Sequence, residues 1–322
     1  AEAFLSRGLP PAAVQVISGG VFWGVGAAVT IVLPYIVPFY ILLGILEDSG
    51  YLPRAAFLMD NMMHKIGLHG KAFIPLLLGY GCSVPACVGC RIMETDRERF
   101  LAGFVVTLIP CAARTVVILG LVGRYLGIPA ALALYLFDLC LVMLIGRLAF
   151  KALPGAPMGL IMEMPPYRAP SLKAILNKTW ARTKDFVYIA FPFIIGGSVF
   201  LQLLSAAGAM PTIADLMAPL TSSWLGLPRI AGIPLIFGVL RKELTLVLLG
   251  ELAGTFNFSS ILTPIQMVVF AIVAMIYVPC VATIAALARE FGAKRAVAIA
   301  VLDSVLAVLV GGLGYHLLTL VL

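Results

Sequence analysis

Pro75-Leu-Leu-Leu-Gly-Tyr-Gly-Cys-Ser-Val-Pro-Ala-Cys-Val-Gly-Cys-Arg91 is the stretch on which the reading of this chain turns. Its surroundings are apolar, yet it breaks the rules of a plain membrane helix. Pro75 and Pro85 interrupt it, Gly79, Gly81 and Gly89 loosen it, and Cys82, Cys87 and Cys90 crowd into it. A spanning helix satisfies its own backbone, so a Gly/Pro-broken segment at membrane depth needs a compensating use, such as lining a cavity or an ion site.

Working outward, the membrane setting rests on composition. Of 322 residues, 62% are hydrophobic and only 11% charged; mean hydropathy is +1.09. Soluble domains carry about 25% charged residues. A crossing helix needs about 20 apolar residues, which leaves room for roughly eight spans. The apolar runs are continuous rather than alternating, so the spans are helical and not barrel strands. The net charge of +7 suits anionic headgroups and basic cytoplasmic loops. The basic residues form no patch interleaved with aromatics, so nucleic acid is not an expected partner. Most of the six cysteines lie in apolar segments beside Gly or Pro. Free thiols or metal ligands are expected there rather than disulfides.

Taken in order, the chain predicts helices at about 14–33 and 34–47, divided by Pro34 and Pro38, and an interfacial helix over 54–70. The broken segment occupies 71–90. Spans follow at about 100–122 and 129–149. Residues 150–184 read as a basic, Pro-containing linker ending in an interfacial helix at 171–184. The second half predicts spans at about 185–206, 230–252 (interrupted), 265–288 and 294–320. The domains expected are therefore 1–149, the linker 150–184, and 185–322.

The halves echo one another. Gly50-Tyr-Leu-Pro53 answers to Gly208-Ala-Met-Pro211. Gly67-Leu68, Ile74-Pro75-Leu76 and Gly79 answer to Gly226-Leu227, Ile233-Pro234-Leu235 and Gly238; Ile109-Pro110-Cys111 answers to Val278-Pro279-Cys280. A repeated unit with a broken helix in each copy is a transporter pattern, and an odd number of spans per unit makes the copies inverted. Where the first half reads Gly81-Cys82-Ser83-Val84, the second reads Leu240-Arg241-Lys242-Glu243. One half offers thiols and the other charge.

Thiolates favour soft or borderline metals such as Cu(I), Zn(II) or Fe(II). Cys87 and Cys90 share a helical face, and Cys82 reaches them only if Pro85 breaks the helix. The bland alternative is three small residues in a close-packed interface. Cys111 and Cys280 each follow a proline (Pro110, Pro279) inside an apolar run, where proline frees a carbonyl one turn back. Glu243 lies in an apolar run, where an ionisable group is paired or functional; pairing with Arg241 or Lys242 is the bland reading. Asp138, Asp303 and His316 read as packing or topology residues, and His64 and His69 as interfacial. No phosphate loop, H-E-x-x-H or C-x-x-C-H is present, so an enzyme is not expected.

The combination of Leu46 to Arg54, Gly67-Leu-His-Gly-Lys-Ala-Phe-Ile-Pro75, Gly79-Tyr-Gly-Cys-Ser-Val-Pro85, Arg91 to Arg99, Pro110-Cys-Ala-Ala-Arg114 and Val278-Pro-Cys-Val-Ala-Thr283 resembles the membrane domain of the FeoB ferrous-iron transporters. The resemblance implies an all-α integral membrane fold of two gate-type (nucleoside-recognition) repeats. It implies Fe(II) uptake through the cell membrane, with roles for Cys82, Cys111, Cys280 and Glu243. Ser83, Pro85, Pro110, Arg114, Arg241 and Pro279 are expected to support or gate that site. No resident cofactor is expected. Family members carry an N-terminal GTP-binding domain, and its motif is not found here. The expectation is a stand-alone or truncated membrane domain, or service by a separate GTP-binding protein; oligomerisation is left open. Cys87 and Cys90 stand where the family pattern has apolar or small residues, and extra thiolates would shift preference towards Zn(II) or Cu(I). The alternatives are a carrier of a small organic or anionic solute using Arg114, Arg241 and Lys242, or a non-transporting scaffold or sensor.

Overall fold

The computed structural model describes residues 33–152, 166–206, 209–240, 242 and 244–321. The helix expected at 14–33 lies almost wholly outside them. Every regular element among the described residues is helical.

The first half runs α1 (Leu33–Asp48), α2 (Tyr51–Leu58), α3 (Asp60–Ile66), α4 (Phe73–Gly81), α5 (Ser83–Gly89), α6 (Asp96–Leu108), α7 (Ala112–Ile118) and α8 (Ile128–Ala152). The second half runs α9 (Leu172–Ala206), α10 (Ala209–Ala218), α11 (Gly232–Phe237), α12 (Leu244–Ala253), α13 (Pro264–Ile276), α14 (Val281–Phe291) and α15 (Ala293–Val321). Four stretches are long and apolar enough to cross a membrane: Asp96–Gly123, Ile128–Ala152, Pro264–Phe291 and Ala293–Leu320. A bent pair, Asp215–Trp224 with Arg229–Phe237, turns through 115° and makes a fifth candidate.

Two sequence expectations are corrected. The interfacial helix over 54–70 is two short helices, α2 and α3, parted at Met59. The interfacial helix at 171–184 does not end before the next span. No Gly or Pro occurs between Leu172 and Phe191 to stop it, and α9 runs unbroken for 35 residues.

The starts of two of the long spans are written in the sequence. Thr95 accepts the Glu98 N–H at the head of α6 (3.2 Å). Thr263 and Gln266 form a reciprocal capping box at the head of α13, with Pro264 in its first turn. Ser or Thr before a helix with Glu or Gln three residues later supplies partners for otherwise orphaned N–H groups.

The repeat extends to packing. Gly67 (φ 83°) and Gly226 (φ 63°) both take the left-handed conformation that only glycine adopts cheaply. A Cβ on Gly67 would run into the Phe150 ring near the end of α8; a Cβ on Gly226 would run into the Tyr315 ring near the end of α15. Likewise Gly146 lets α8 approach Ile66 and Val105, and Gly311 lets α15 approach Leu225 and Val273. Each pair of contacts joins corresponding positions of the two halves.

The halves interlock rather than merely abut. α5 packs on α14, and α7 packs on α13. Arg91, just after α5, donates to Glu290 near the end of α14 through both Nε (2.6 Å) and Nη2 (2.5 Å). α9 lies against both α1 and α14. Its start is fastened to the end of α1. Asp48 accepts the Ser171 N–H (2.7 Å) and pairs with Arg168. Glu47 takes Lys178 (3.0 Å) and Arg182 (2.7 Å). These two acids are therefore clamped, not simply facing water.

Candidate functional site

Cys82, Cys111 and Cys280 occupy the same kind of place. Each is an extended residue between two helices, at the N-cap position of the second but without a side-chain capping bond: Cys82 before α5 (φ −153°, ψ 129°), Cys111 before α7 (φ −69°, ψ 170°) and Cys280 before α14 (φ −61°, ψ 155°). Pro110 and Pro279 produce the latter two breaks because proline cannot continue the preceding helix. Pro85 sits inside α5, at its third residue, where its missing N–H is harmless. The break is thus at Cys82, three residues earlier than the proline. Ser83 opens α5 and is buried.

The packing of α5 on α14 and of α7 on α13 gathers these breaks at the seam between the halves. Cys87 lies within electrostatic range of Cys82, Cys90 and Cys280, and Cys280 within that of Cys111 and Lys242. Cys280 Sγ lies 3.1 Å from the Thr283 hydroxyl. Cys82, Cys111 and Cys280 are part-exposed, whereas Cys87 and Cys90 are fully buried. The Cys90 thiol donates to the Ala86 carbonyl (3.4 Å), one turn back. Glu243 and Arg241 lie outside the described residues.

The carbonyls at the breaks are already in use. Arg114, 2% exposed, donates through Nη1 to Thr107 O (2.6 Å) and Ile109 O (3.1 Å) and through Nη2 to Tyr277 O (2.9 Å). Lys242 Nζ donates to the same Tyr277 carbonyl (3.1 Å) and sits 4.4 Å from the centre of the Tyr277 ring. One buried cation thus serves the ends of both α6 and α13, and a second serves the end of α13. Helix C-termini present unpaired carbonyls and the negative end of the dipole, so cations belong there.

Two buried acids balance the two cations. Asp138 (α8) and Asp303 (α15) are 1% and 0% exposed and correspond between the halves. Asp138 is within electrostatic range of Arg114, and Asp303 of Arg114 and Lys242. Neither Asp138 oxygen accepts a hydrogen bond among the described residues. Asp303 sits beside Thr107, whose hydroxyl donates to Phe104 O (2.6 Å). Sequence reading gave both acids a packing or topology role because each is isolated in an apolar run. The signal was their matching place in the repeat.

Gly238 belongs to this centre as well. A Cβ there would collide with the Tyr277 hydroxyl and Thr245 Oγ1. Val239 O accepts the Val281 N–H (3.0 Å), which ties the second half's broken segment to the residue after Cys280.

A family model for gate (nucleoside recognition) segments matches residues 29–125 and 187–294. Another, for the C terminus of ferrous iron transport protein B, matches residues 131–182. The Fe(2+) transporter FeoB of Staphylococcus aureus (strain COL) is 32% identical over 315 residues, covering 91% of this chain and 47% of the relative. That of Methanocaldococcus jannaschii is 32% identical over 333 residues, covering 92% and 48%. A Porphyromonas gingivalis relative, a fusion of Fe(2+) transport protein A with Fe(2+) transporter FeoB, is 37% identical over 195 residues, covering 59% and 23%. The chain spans about half the length of the first two relatives. No solved structure matches it.

Proposed function

Because the chain belongs to the FeoB family, as a multi-pass membrane domain with two gate-type segments, we propose that it carries Fe(II) across the cell membrane along the seam between its halves. The observation that carries the site is the shared placement of Cys82, Cys111 and Cys280. They stand at three helix breaks, two from one half and one from the other.

The proposed chemistry follows from the charge count. Arg114 and Lys242 are matched in number by Asp138 and Asp303 within electrostatic range, so those four groups offer no formal excess of negative charge to a cation. Thiolate sulfurs supply it, which couples metal entry to proton release from the cysteines. Thr283 orients Cys280, Glu243 is proposed as a further ligand, and Cys87 and Cys90 as reserve thiols behind Cys82. Ser83, Pro85, Pro110, Pro279 and Arg241 are proposed to shape or gate the breaks. Zn(II) or another divalent ion would fit the same donors.

The architecture proposed is two units with three crossing helices each plus one re-entrant broken helix, eight membrane elements in all. Three crossings per unit would invert one copy relative to the other. The unit boundaries proposed are 1–149 and 185–322, joined by 150–184. The fusion relative supports a protein partner of the Fe(2+) transport protein A kind, and a GTP-binding partner is proposed alongside it.

The test is Fe(II) uptake into proteoliposomes under reducing conditions. Replacing Cys82, Cys111 and Cys280 together by Ser is expected to abolish saturable uptake. Uptake unchanged in that variant overturns the thiolate route.

A further inference from the structure

A second group of metal-binding side chains lies away from the cysteines. Asp60 and His64 stand on α3, and His69 follows three residues after its end. One ligand atom from each lies within 4.8 Å of the others. The two imidazole rings meet edge to face, 4.8 Å between centres.

The cluster is organised rather than incidental. Asp60 Oδ1 accepts the Gly70 N–H (2.6 Å), which fixes the carboxylate. His64 Nδ1 lies 2.9 Å from the Asp60 backbone carbonyl oxygen and 3.3 Å from Oδ2. Gly70 is required for that approach, because a Cβ there would collide with the Ala56 carbonyl. His69 is 7% exposed. Its Nε2 approaches Glu98 Oε1 to 3.0 Å, off the line of a hydrogen bond, and both ring nitrogens are buried without a hydrogen-bond partner among the described residues. A carboxylate against one imidazole nitrogen orients the ring so that the other can bind a metal.

The repeat supplies an internal control. At the corresponding positions the second half carries Pro219, Ser223, Pro228 and Gln266. There Gln266 Nε2 donates to Gly226 O (2.7 Å) and closes the equivalent turn without an imidazole or a carboxylate. The equivalent turn of the second half thus closes without counterparts of Asp60, His64, His69 and Glu98.

We infer that Asp60, His64 and His69 bind a divalent first-row transition ion, with Glu98 orienting His69, at the head of α6 on the first half. Two imidazoles and a carboxylate suit Fe(II), Co(II), Ni(II) or Zn(II) better than Mg(II) or Ca(II). Three protein ligands leave a coordination position open, as in sites that exchange what they hold. His64 is exposed, with 44% of its side chain accessible, so the site is reachable from water. The inference stands independently of the thiolate pathway.

The test is Co(II) titration of the purified, reduced chain in detergent, in the Cys82/Cys111/Cys280→Ser background. This removes the three pathway sulfurs, and binding by the remaining thiols, Cys87 and Cys90 among them, is told apart because it adds a sulfur-to-cobalt charge-transfer band that nitrogen and oxygen ligation lacks. One Co(II) per chain with such a spectrum is expected. His64→Gln and His69→Gln should each weaken it at least tenfold, and Glu98→Gln about tenfold. His64 is exposed, so its variant keeps the fold even if His69→Gln does not. Absence of stoichiometric Co(II), or affinity unchanged by His64→Gln, overturns the site. Lost uptake with Co(II) binding retained in the triple-serine chain would separate the two centres.

Discussion

At the scale of single residues, Arg114 holds the centre together. One guanidinium serves carbonyls at the ends of two helices from different halves. Its planar fork suits divergent acceptors in a way a lysine ammonium does not. It is buried in an apolar surround, where an unbalanced charge is expensive, and Asp138 is one of its counter-charges. Arg114→Met is expected to lower stability by about 3–5 kcal/mol, because it orphans the carbonyls and strands the acid. Asp138→Asn alone should also destabilise. The double variant should fall short of the sum by roughly 0.5–3 kcal/mol, since the charge imbalance is removed together. Unfolding of the four chains in detergent measures this; additivity within about 0.5 kcal/mol would mean that the two do not interact.

At the scale of elements, the clamp between α1 and α9 has a pH signature. Asp48 ends α1, and the Ser171 N–H at the head of α9, with Arg168, holds its carboxyl below the ordinary carboxylate range. The charged form is thus the one the fold prefers. Its contribution is complete above the unfolded value of about 3.9 and is lost as the pH falls from there through the lowered folded value. Asp48→Asn should lower the melting temperature at pH 7 and narrow its gap to wild type as the pH drops below about 4. Melting curves from pH 3 to 7 decide it: a gap that stays constant would place the stabilisation elsewhere than in the carboxylate. Charge on Glu47 is common to both chains and cancels in the comparison.

At the scale of the whole molecule, the sequence carried the class and the repeat further than the site. Hydropathy marked the spans, and the glycines at 67 and 226 and the Pro-Cys pairs marked corresponding breaks. What it could not carry was which donor meets which acceptor. The pull of Arg114 and Lys242 on Tyr277 O joins residues 163 and 35 positions apart. It arises only once α7 packs on α13. The acids Asp138 and Asp303 were visible as letters, but their burial beside cations depends on that same packing. The repeat itself makes the last prediction. If three crossings separate corresponding points, Lys65 on α3 and Ser223 before the α11 turn face opposite sides of the bilayer; both are exposed. In a chain with its native cysteines replaced by Ser or Ala, Lys65→Cys and Ser223→Cys should react with a membrane-impermeant maleimide from opposite faces of sealed, uniformly oriented vesicles. A parallel repeat gives labelling of both from the same face, because an even number of crossings returns the chain to the side it left. The two outcomes differ in sign rather than degree, so partial labelling efficiency does not blur them.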